Sequence, residues 1–286
     1  MTKETKQYGI DIHVPTHGKL ELTIPCVDHI YAHTQTPFHL IVTDTDPEGE
    51  EGLTELYFKR LMQNRNNVTY IKAENFKTGN TFFNTALRHT KTEFMATVMN
   101  SVWVEPEWEM VALQLMNEQK DVGTIGFKAI FAPEHPQFGR IESAGIAFQG
   151  HIPVDIGRGE PAHRLNSVYE CQAVQWAFAL HRKVALIGNL DENTFNGHVG
   201  WDDIDNCFVV KSKGWRILYC GLGCGYHHPR ATRGDDSEEA AKKNRENSHI
   251  FFKRWGYWDA YCQANNLNAK GEPKVYNHKS KKRGKR

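Results

Sequence analysis

Between residues 10 and 117, short apolar runs alternate with longer segments of helical spacing, and few architectures accept that order. Ile10-Asp11-Ile12-His13-Val14 reads as a strand ending at Pro15, and Phe38–Thr43, Val68–Lys72 and Phe94–Met99 read as three more. The segments between them read as helices: Gly18–Thr34, interrupted by Pro25; Leu53–Arg65, with Leu53, Leu56, Tyr57, Leu61 and Met62 at helical spacing; and Thr78–His89. Pro106–Asn117 reads as a fourth helix. Strands separated by helices of this length build a mainly parallel sheet covered on both faces. Such sheets bind ligands beyond the carboxyl ends of their strands. The first places to look for chemistry are therefore Pro15-Thr16-His17, Asp44-Thr45-Asp46 and Asn100-Ser101.

The second half is built differently. Gly123–Phe131, Ser143–Gln149, Val174–Leu180 and Arg216–Tyr219 read as strands, whereas 132–141 and 152–166 read as irregular loops of the kind that carry an acceptor. Arg182–Ile187 begins a short helix that stops at Gly188. Asp203–Lys213 reads as a helix closed by Gly214, and Ser237–Trp255 as a final one. At 286 residues and 40% apolar content, one large α/β domain is the expected unit. Within it, 1–120 would form a nucleotide-binding half, 121–268 an acceptor-binding and catalytic half, and 269–286 a basic tail.

The densest run of chemistry-bearing residues spans 174–228. Val174-Gln175-Trp176 leads into Arg182; Ile187-Gly188-Asn189-Leu190-Asp191-Glu192 follows, then Gly200-Trp201-Asp202-Asp203-Ile204-Asp205, then Lys213-Gly214-Trp215-Arg216-Ile217, and finally His227-His228. An acidic cluster at a helix start is favoured by the helix dipole. A carboxylate there can also take the proton of an attacking hydroxyl, which is general-base catalysis. An isolated acidic triplet is more often a solvated first turn; here it is the ordered set of segments around it that speaks for chemistry.

That order resembles the C-terminal half of the inverting family 2 glycosyltransferases, with their G-x-x-D-E turn, their acidic motif opening a helix, and a G-[YW]-R-I segment before a histidine. The first half agrees. Val14-Pro15-Thr16-His17 is similar to the family's first strand exit, Val42-Thr43-Asp44-Thr45-Asp46 stands where the family binds base or ribose, and Asn75 with Gly79–Asn84 resembles the segment that brings a helix N-terminus to the nucleotide. The resemblance covers about residues 8–230. It implies an α/β GT-A fold, Rossmann-like, with a mainly parallel central sheet and a smaller mixed acceptor-side region. It further implies a hexosyl- or pentosyltransferase moving sugar from a nucleoside-diphosphate sugar to a hydroxyl with inversion. Asp203 would be the base, with Asp202 next, and Asp205 a brace. Pro15, Thr16, His17, Asp44 or Asp46, Asn75, Gly79, Asn100 and Ser101 would bind the donor, and Trp201 and Trp176 the acceptor. His227 or His228 would help hold a divalent metal, Mn or Mg.

At one place the chain departs from the family. The fourth strand should end in an Asp-x-Asp that binds metal and diphosphate, but the matching residues are Met99-Asn100-Ser101-Val102-Trp103, and aligning Pro106 and Trp108 puts Ser101 at the metal aspartate. Neutral oxygens are poor substitutes for carboxylates around a hard cation. Three alternatives follow: a metal held weakly by His227 or His228 with the diphosphate; a metal-independent enzyme using Arg182 or Lys211 against the leaving group; or a catalytically impaired nucleotide-sugar binding module.

Two further signals compete. Cys220-x3-Cys224-x2-His227-His228 has zinc-like spacing inside a glycine-rich stretch. Residues 270–286 carry eight Lys/Arg against Glu272, so this tail holds +7 of charge while the chain as a whole is only +1. With Trp255, Tyr257, Trp258 and Tyr261 nearby, the tail suits polyanion contact. This keeps open a modified nucleic acid as acceptor in place of a glycan, as in bacteriophage enzymes that decorate DNA bases. The scattered cysteines, the polar N-terminus and the absence of a membrane-length apolar run favour a cytoplasmic protein.

Overall fold

A computed structural model describes residues 9–45, 52–72, 78–195, 200–229, 231, 238–264 and 270. Asp46, Asn75 and residues 271–286, and with them nearly all of the basic tail, lie outside the described residues. The first half runs β1 (Ile10–Thr16), α1 (Leu20–His33), β2 (Phe38–Asp44), α2 (Leu53–Asn64), β3 (Val68–Lys72), α3 (Gly79–Leu87), β4 (Phe94–Val98), β5 (Val102–Val104) and α4 (Met110–Glu118). The second runs β6 (Val122–Phe131), β7 (Ile141–Ser143), β8 (Ile146–Gln149), β9 (Ile152–Asp155), β10 (Val168–Glu170), β11 (Phe178–Arg182), α5 (Lys183–Leu186), α6 (Asp202–Ser212), β12 (Arg216–His227), α7 (Glu238–Arg254) and α8 (Trp258–Ala264).

One ten-stranded sheet organises the chain in the order β10-β12-β6-β11-β4-β1-β2-β3, with β5 added to β12 and β7 to β6. Strands β1 to β4 pair in parallel, β12 runs parallel to β6, and β11 lies antiparallel between β4 and β6. Strand alternation sorts side chains to two faces. Ile10, Ile12 and Val14 of β1 join Cys26, Val27 and Ile30 of α1 and Ala112, Leu113 and Met116 of α4 in one core. On the other face Ile41 and Met95 pack with Phe82 and Phe83 of α3, Cys207 and Val210 of α6, and Phe251 and Phe252 of α7. Burying each such large side chain stabilises by roughly 1.5–3 kcal/mol.

Several elements differ from expectation for identifiable reasons. Helix α1 runs through Pro25 unbroken, because Thr23, Cys26, Val27 and Ile30 are buried along its length and outweigh the one backbone bond that proline removes. The strand expected over Val174–Leu180 begins at Phe178 and carries His181 and Arg182 into the sheet. Part of 152–166, expected to be irregular, forms β9, which pairs with β8 as a separate hairpin. Strand β12 continues to His227 where only Arg216–Tyr219 was expected. Gly221-Leu222-Gly223 forms a bulge in it, so that Cys220 and Cys224 pair opposite the consecutive residues Phe127 and Lys128. A Cβ on Gly221 would stand 1.9 Å from the Leu165 carbonyl oxygen, so glycine there serves close packing rather than wrapping round an ion. His227 lies three strand positions beyond Cys224, about 10 Å along, so the zinc-like spacing does not converge. Among the described residues no three of His, Cys, Asp and Glu are grouped to hold a metal ion.

Candidate active site

A cleft of about 610 Å³ opens at the carboxyl ends of β1 and β4. Pro15, Thr16, His17, Asn100 and Ser101 line it, as does Thr45 at the end of β2. Across from them Trp201, Asp202 and Asp203 come from the mouth of α6, and His227 from the end of β12. Five segments distant in sequence thus meet where an open α/β sheet binds ligands.

The strand-end corner holds no carboxylate, lysine or arginine and is tied together internally. The Asn100 amide nitrogen donates to Thr23 Oγ1 at 3.0 Å, to the Gly18 carbonyl at 3.3 Å and to Thr16 Oγ1 at 3.4 Å. Its amide is therefore spent fastening the turn after β1 to α1. His17 Nδ1 lies 3.1 Å from Thr45 Oγ1. The Asp44 carboxylate is fully buried, accepts the Tyr70 hydroxyl at 2.6 Å, and does not itself line the cleft. Beneath the corner, Phe82, Phe83 and Trp176 form a floor. Trp176 is 2% exposed and its indole N–H donates to Cys207 Sγ at 3.3 Å, so it supports the cleft from below instead of offering a face for stacking. Under this floor lie His13 and His181, both fully buried and both pushed down to about 3 by burial.

At the mouth of α6 the backbone is special. Trp201 has φ of 77°, left-handed and rare for a bulky residue, directly after Gly200. Such outliers persist where surrounding packing over-determines them. Here Phe251 and Phe252 of α7 hold the indole, at ring-centroid distances of 5.3 and 5.1 Å. The turn then exposes Asp202 and Asp203 to the cleft. The Asp202 carboxylate leans on Gly79: a Cβ there would be 2.0 Å from Asp202 Oδ2. The N-terminus of α3, read from sequence as an anion site for the nucleotide, thus faces the chain's own carboxylate, and Gly79 does not line the cleft. Asp203 Oδ1 accepts the Ile204 N–H at 2.8 Å. Asp205, expected to be a brace, turns inward: it accepts Trp255 Nε1 at 2.7 Å and Arg254 at 2.9 Å, and burial pushes it up to about 6.

The remaining wall was missed in the sequence. Glu142 of β7, Asp155 of β9, Arg158 and Gln175 all line the cleft. Arg158 lies 3.2 Å from Asp155 and 4.0 Å from Glu142, and Gln175 donates to Asp155 at 3.0 Å. Glu142 lies 2.6 Å from His227 Nδ1. Burial pushes the Glu142 carboxyl up, but His227 and Arg158 beside it more than offset this and leave it below the usual range. Burial raises Asp155. The Asp155-x-x-Arg158 spacing was the available signal, since residues three apart at a strand end can pair.

The two histidines part company. His227 lines the cleft, whereas His228 lies outside its lining, with Nδ1 3.3 Å from Glu134 and its ring against Trp103 at 4.3 Å. The His228 N–H bonds the Ser101 carbonyl at 2.9 Å and His227 pairs with Val102, so His227 and Ser101 are close neighbours at one corner. Arg182 and Lys211 do not face the cleft. Arg182 is 3% exposed and grips Glu93 and the carbonyls of Val122 and Met116, while Lys211 Nζ reaches the Cys171 carbonyl in the last turn of α6. Neither can neutralise a leaving group there. Among the described lining residues Arg158 is the one Lys or Arg, against four acids.

No protein-family model matches the chain. It is 28% identical over 276 residues to the uncharacterized protein y4gI of Sinorhizobium fredii (strain NBRC 101917 / NGR234). The match covers 91% of this chain and 29% of that protein, so the chain spans less than a third of its relative's length. Among solved structures it is similar to GalNAc-T7, crystallised with UDP, GalNAc and Mn2+, at a TM-score of 0.68 and 10% identity over 93% of this chain and 52% of that one. It is also similar to residues 1–349 of S. aureus TarS, at a TM-score of 0.51 and 15% identity, over 90% of this chain and 76% of that one. At these identities the likeness is one of fold. The chain has the GT-A glycosyltransferase fold, mixed α/β with a mostly parallel central sheet. No helix among the described residues is long and apolar enough to cross a membrane.

Proposed function

We propose that this protein transfers a sugar from a nucleoside-diphosphate donor to an acceptor hydroxyl with inversion, Asp203 acting as general base. The observation that carries the reading is Asp203 at the mouth of α6, lining the same cleft as the ends of β1 and β4. The base must come within hydrogen-bond reach of the attacking hydroxyl. Both Asp202 and Asp203 line the cleft, and the resemblance implies Asp203 as the base, with Asp202 next. The neutral corner of Thr16, His17, Asn100 and Ser101 would receive the donor, and Trp201 would bound the acceptor.

The resemblance implies a divalent ion bound with the donor. His227 offers one imidazole near Ser101, and no three-ligand set stands among the described residues. One imidazole without a carboxylate does not fit a hard cation, which is held through carboxylate oxygens together with phosphates, so no step of the proposed transfer is routed through an ion.

The acceptor reading favoured by the cleft is a glycan or another uncharged hydroxyl compound. Four carboxylates to one arginine make a poor wall for phosphodiesters, which need a basic groove. The nucleic-acid reading rests on the basic tail and the aromatics before it, of which Trp255 and Tyr257 pack against the core. A gel-shift comparison of the full chain with one ending at Asn268 tests it: equal affinity for duplex DNA removes the tail from consideration.

The main reading is tested by a thermal-shift screen of nucleotide sugars with and without manganese, since ligands of the folded state raise its stability by mass action. A nucleotide sugar is expected to raise the melting temperature, with Asp203→Asn retaining that shift while losing transfer. Unchanged turnover of a verified donor by Asp203→Asn overturns the base assignment.

A further inference from the structure

Helix α7 presses its buried face against the mouth of α6, where Phe251 and Phe252 hold the Trp201 indole. One turn before Phe251, on the same face, stands Asn247, 0% exposed. A buried amide is costly unless it is hydrogen-bonded. Asn247 Nδ2 donates to the Gly200 carbonyl at 3.2 Å. The backbone shows why that carbonyl needs a donor. In a regular helix each N–H bonds the carbonyl four residues back, so the Ile204 N–H would belong to Gly200. The chain instead enters α6 with φ of 105° at Gly200 and 77° at Trp201, and the first bond of that kind runs from the Asp205 N–H to the Trp201 carbonyl at 2.8 Å. The Ile204 N–H goes to Asp203 Oδ1 at 2.8 Å. One helix bond has thus been exchanged for two others: Asn247 takes the carbonyl and Asp203 takes the N–H. Asn244, three residues before Asn247 and itself lining the cleft, accepts the Trp201 indole N–H at 3.4 Å.

We infer that Asn247 is a positioning residue for the base. By holding the Gly200 carbonyl outside the α6 ladder, it leaves the Ile204 N–H to Asp203 and so fixes that carboxylate at the helix mouth. This rests on the proposed reading of Asp203. Asn247 does not line the cleft and acts through the turn. Without its amide, the Gly200 carbonyl has only the Ile204 N–H to turn to in the ordinary helical register. Regaining that bond straightens the turn and releases Asp203.

The test uses the full chain, with crystal structures of the ligand-free variants and steady-state kinetics on a verified donor. In Asn247→Leu the Ile204 N–H is expected to return to the Gly200 carbonyl. Its kcat should fall about 10–100-fold, the scale on which small misplacements of reacting groups act, while KM for the donor stays within about twofold. Asn247→Gln keeps an amide donor and should lose less. Ser248→Ala removes a buried hydroxyl on the same face that bonds the Arg245 carbonyl within α7, so it should leave kcat within about twofold. Should Asn247→Leu fail to fold, Asn247→Asp, which keeps the shape and loses the donor, carries both measurements. A folded Asn247→Leu or Asn247→Asp with wild-type kcat overturns the proposal. So does an Ile204 N–H still bonded to Asp203 in either variant, or an equal loss in Ser248→Ala, which would mean general helix packing. Unchanged turnover in Asp203→Asn would sink the base reading by itself, and the partner of the Ile204 N–H in the Asn247 variants would still decide whether Asn247 holds this turn.

Discussion

The two sides of the cleft are built on opposite principles. The strand-end corner carries no carboxylate, lysine or arginine: Thr16, His17, Asn100 and Ser101 sit at or just past the ends of β1 and β4, their polar groups largely satisfied by neighbouring backbone and hydroxyls. The facing wall concentrates ionisable groups, Glu142, Asp155, Arg158, Asp202 and Asp203, on short strands, a hairpin and a helix mouth. A GT-A cleft whose strand end carried the metal carboxylates would divide the charge the other way. Here the corner offers shape and polar groups without carboxylates, and the carboxylates and Arg158 stand opposite. The difference locates where each substitution should act.

The largest effect is expected at the helix mouth. Asp203→Asn keeps shape and loses basicity, so transfer should fall about 10²–10⁴-fold, the usual contribution of a general base. Donor affinity, measured by calorimetry, should stay within about twofold. If affinity fell as steeply as turnover, the wall would be binding the donor and the division into two sides would fail.

Acidification should act on the two sides with opposite sign. His13 and His181 lie beneath the floor of the corner, held neutral at about 3 against 6.5 for a free side chain. Their folded values are depressed, so the unfolded chain takes up their protons first, and the stability they contribute above 6.5 is lost as pH falls below it. Together they should cost on the order of 2–3 kcal/mol between pH 7 and 5.5. Asp205, which braces the wall, is raised to about 6, so the folded state takes up its proton first and stability rises as pH falls through that value toward 3.8. This offsets under about 1 kcal/mol. Urea unfolding at the two pH values should show a net loss in the wild type, a larger one in Asp205→Asn and a smaller one in His181→Gln. A wild type more stable at pH 5.5 would contradict the neutral support of the corner.

The two sides also differ in how far they could be read from the sequence. The corner was legible because parallel α/β order fixes where ligands bind, and Pro15-Thr16-His17 and Asn100-Ser101 follow strands marked by plain apolar runs. The helix mouth was legible because Trp201-Asp202-Asp203 is contiguous. The rest of the wall was not. Strands β7 and β9 have three and four residues, too few to show a period, and Glu142 reaches His227 only through pairing of β7 with β6 and β12 with β6. The same blindness made Cys220, Cys224 and His227 look like one cluster, because a bulge and an extended strand leave the same spacing as a metal loop. Trp176, read as an acceptor-binding residue, lines the cleft from a nearly buried position, and burial is invisible from residue type alone.

If the corner lacks only charge, charge can be supplied. Ser101→Asp puts a carboxylate beside His227, and Mn2+ affinity in the presence of UDP should rise by roughly tenfold, about 1.4 kcal/mol. Ser101 is 3% exposed, so part of the gain will be lost to desolvation. An unchanged affinity, with the fold intact by circular dichroism, would mean that this corner is not where the cation sits.

The smallest effect tests the seam at which the two sides touch. Gly79 opens α3 under the corner, and Asp202 of the wall fills the space its Cβ would take. Adding that methyl in Gly79→Ala must displace the carboxylate, which is the movable end of a short side chain, so the cost should be about 1 kcal/mol, at the low end for overpacking. In an Asp202→Ala background the clash has no partner, and the same substitution should be neutral or slightly stabilising, because alanine is the better helix former. The double-mutant cycle should therefore return a coupling of about 1 kcal/mol between residues on facing elements. Additive effects would show that Gly79 answers to something other than Asp202. Displacing Asp202 should also leave Asp203 in place, since its Oδ1 is held by the Ile204 N–H, so Gly79→Ala is expected to keep most of its transfer activity while Asp203→Asn does not.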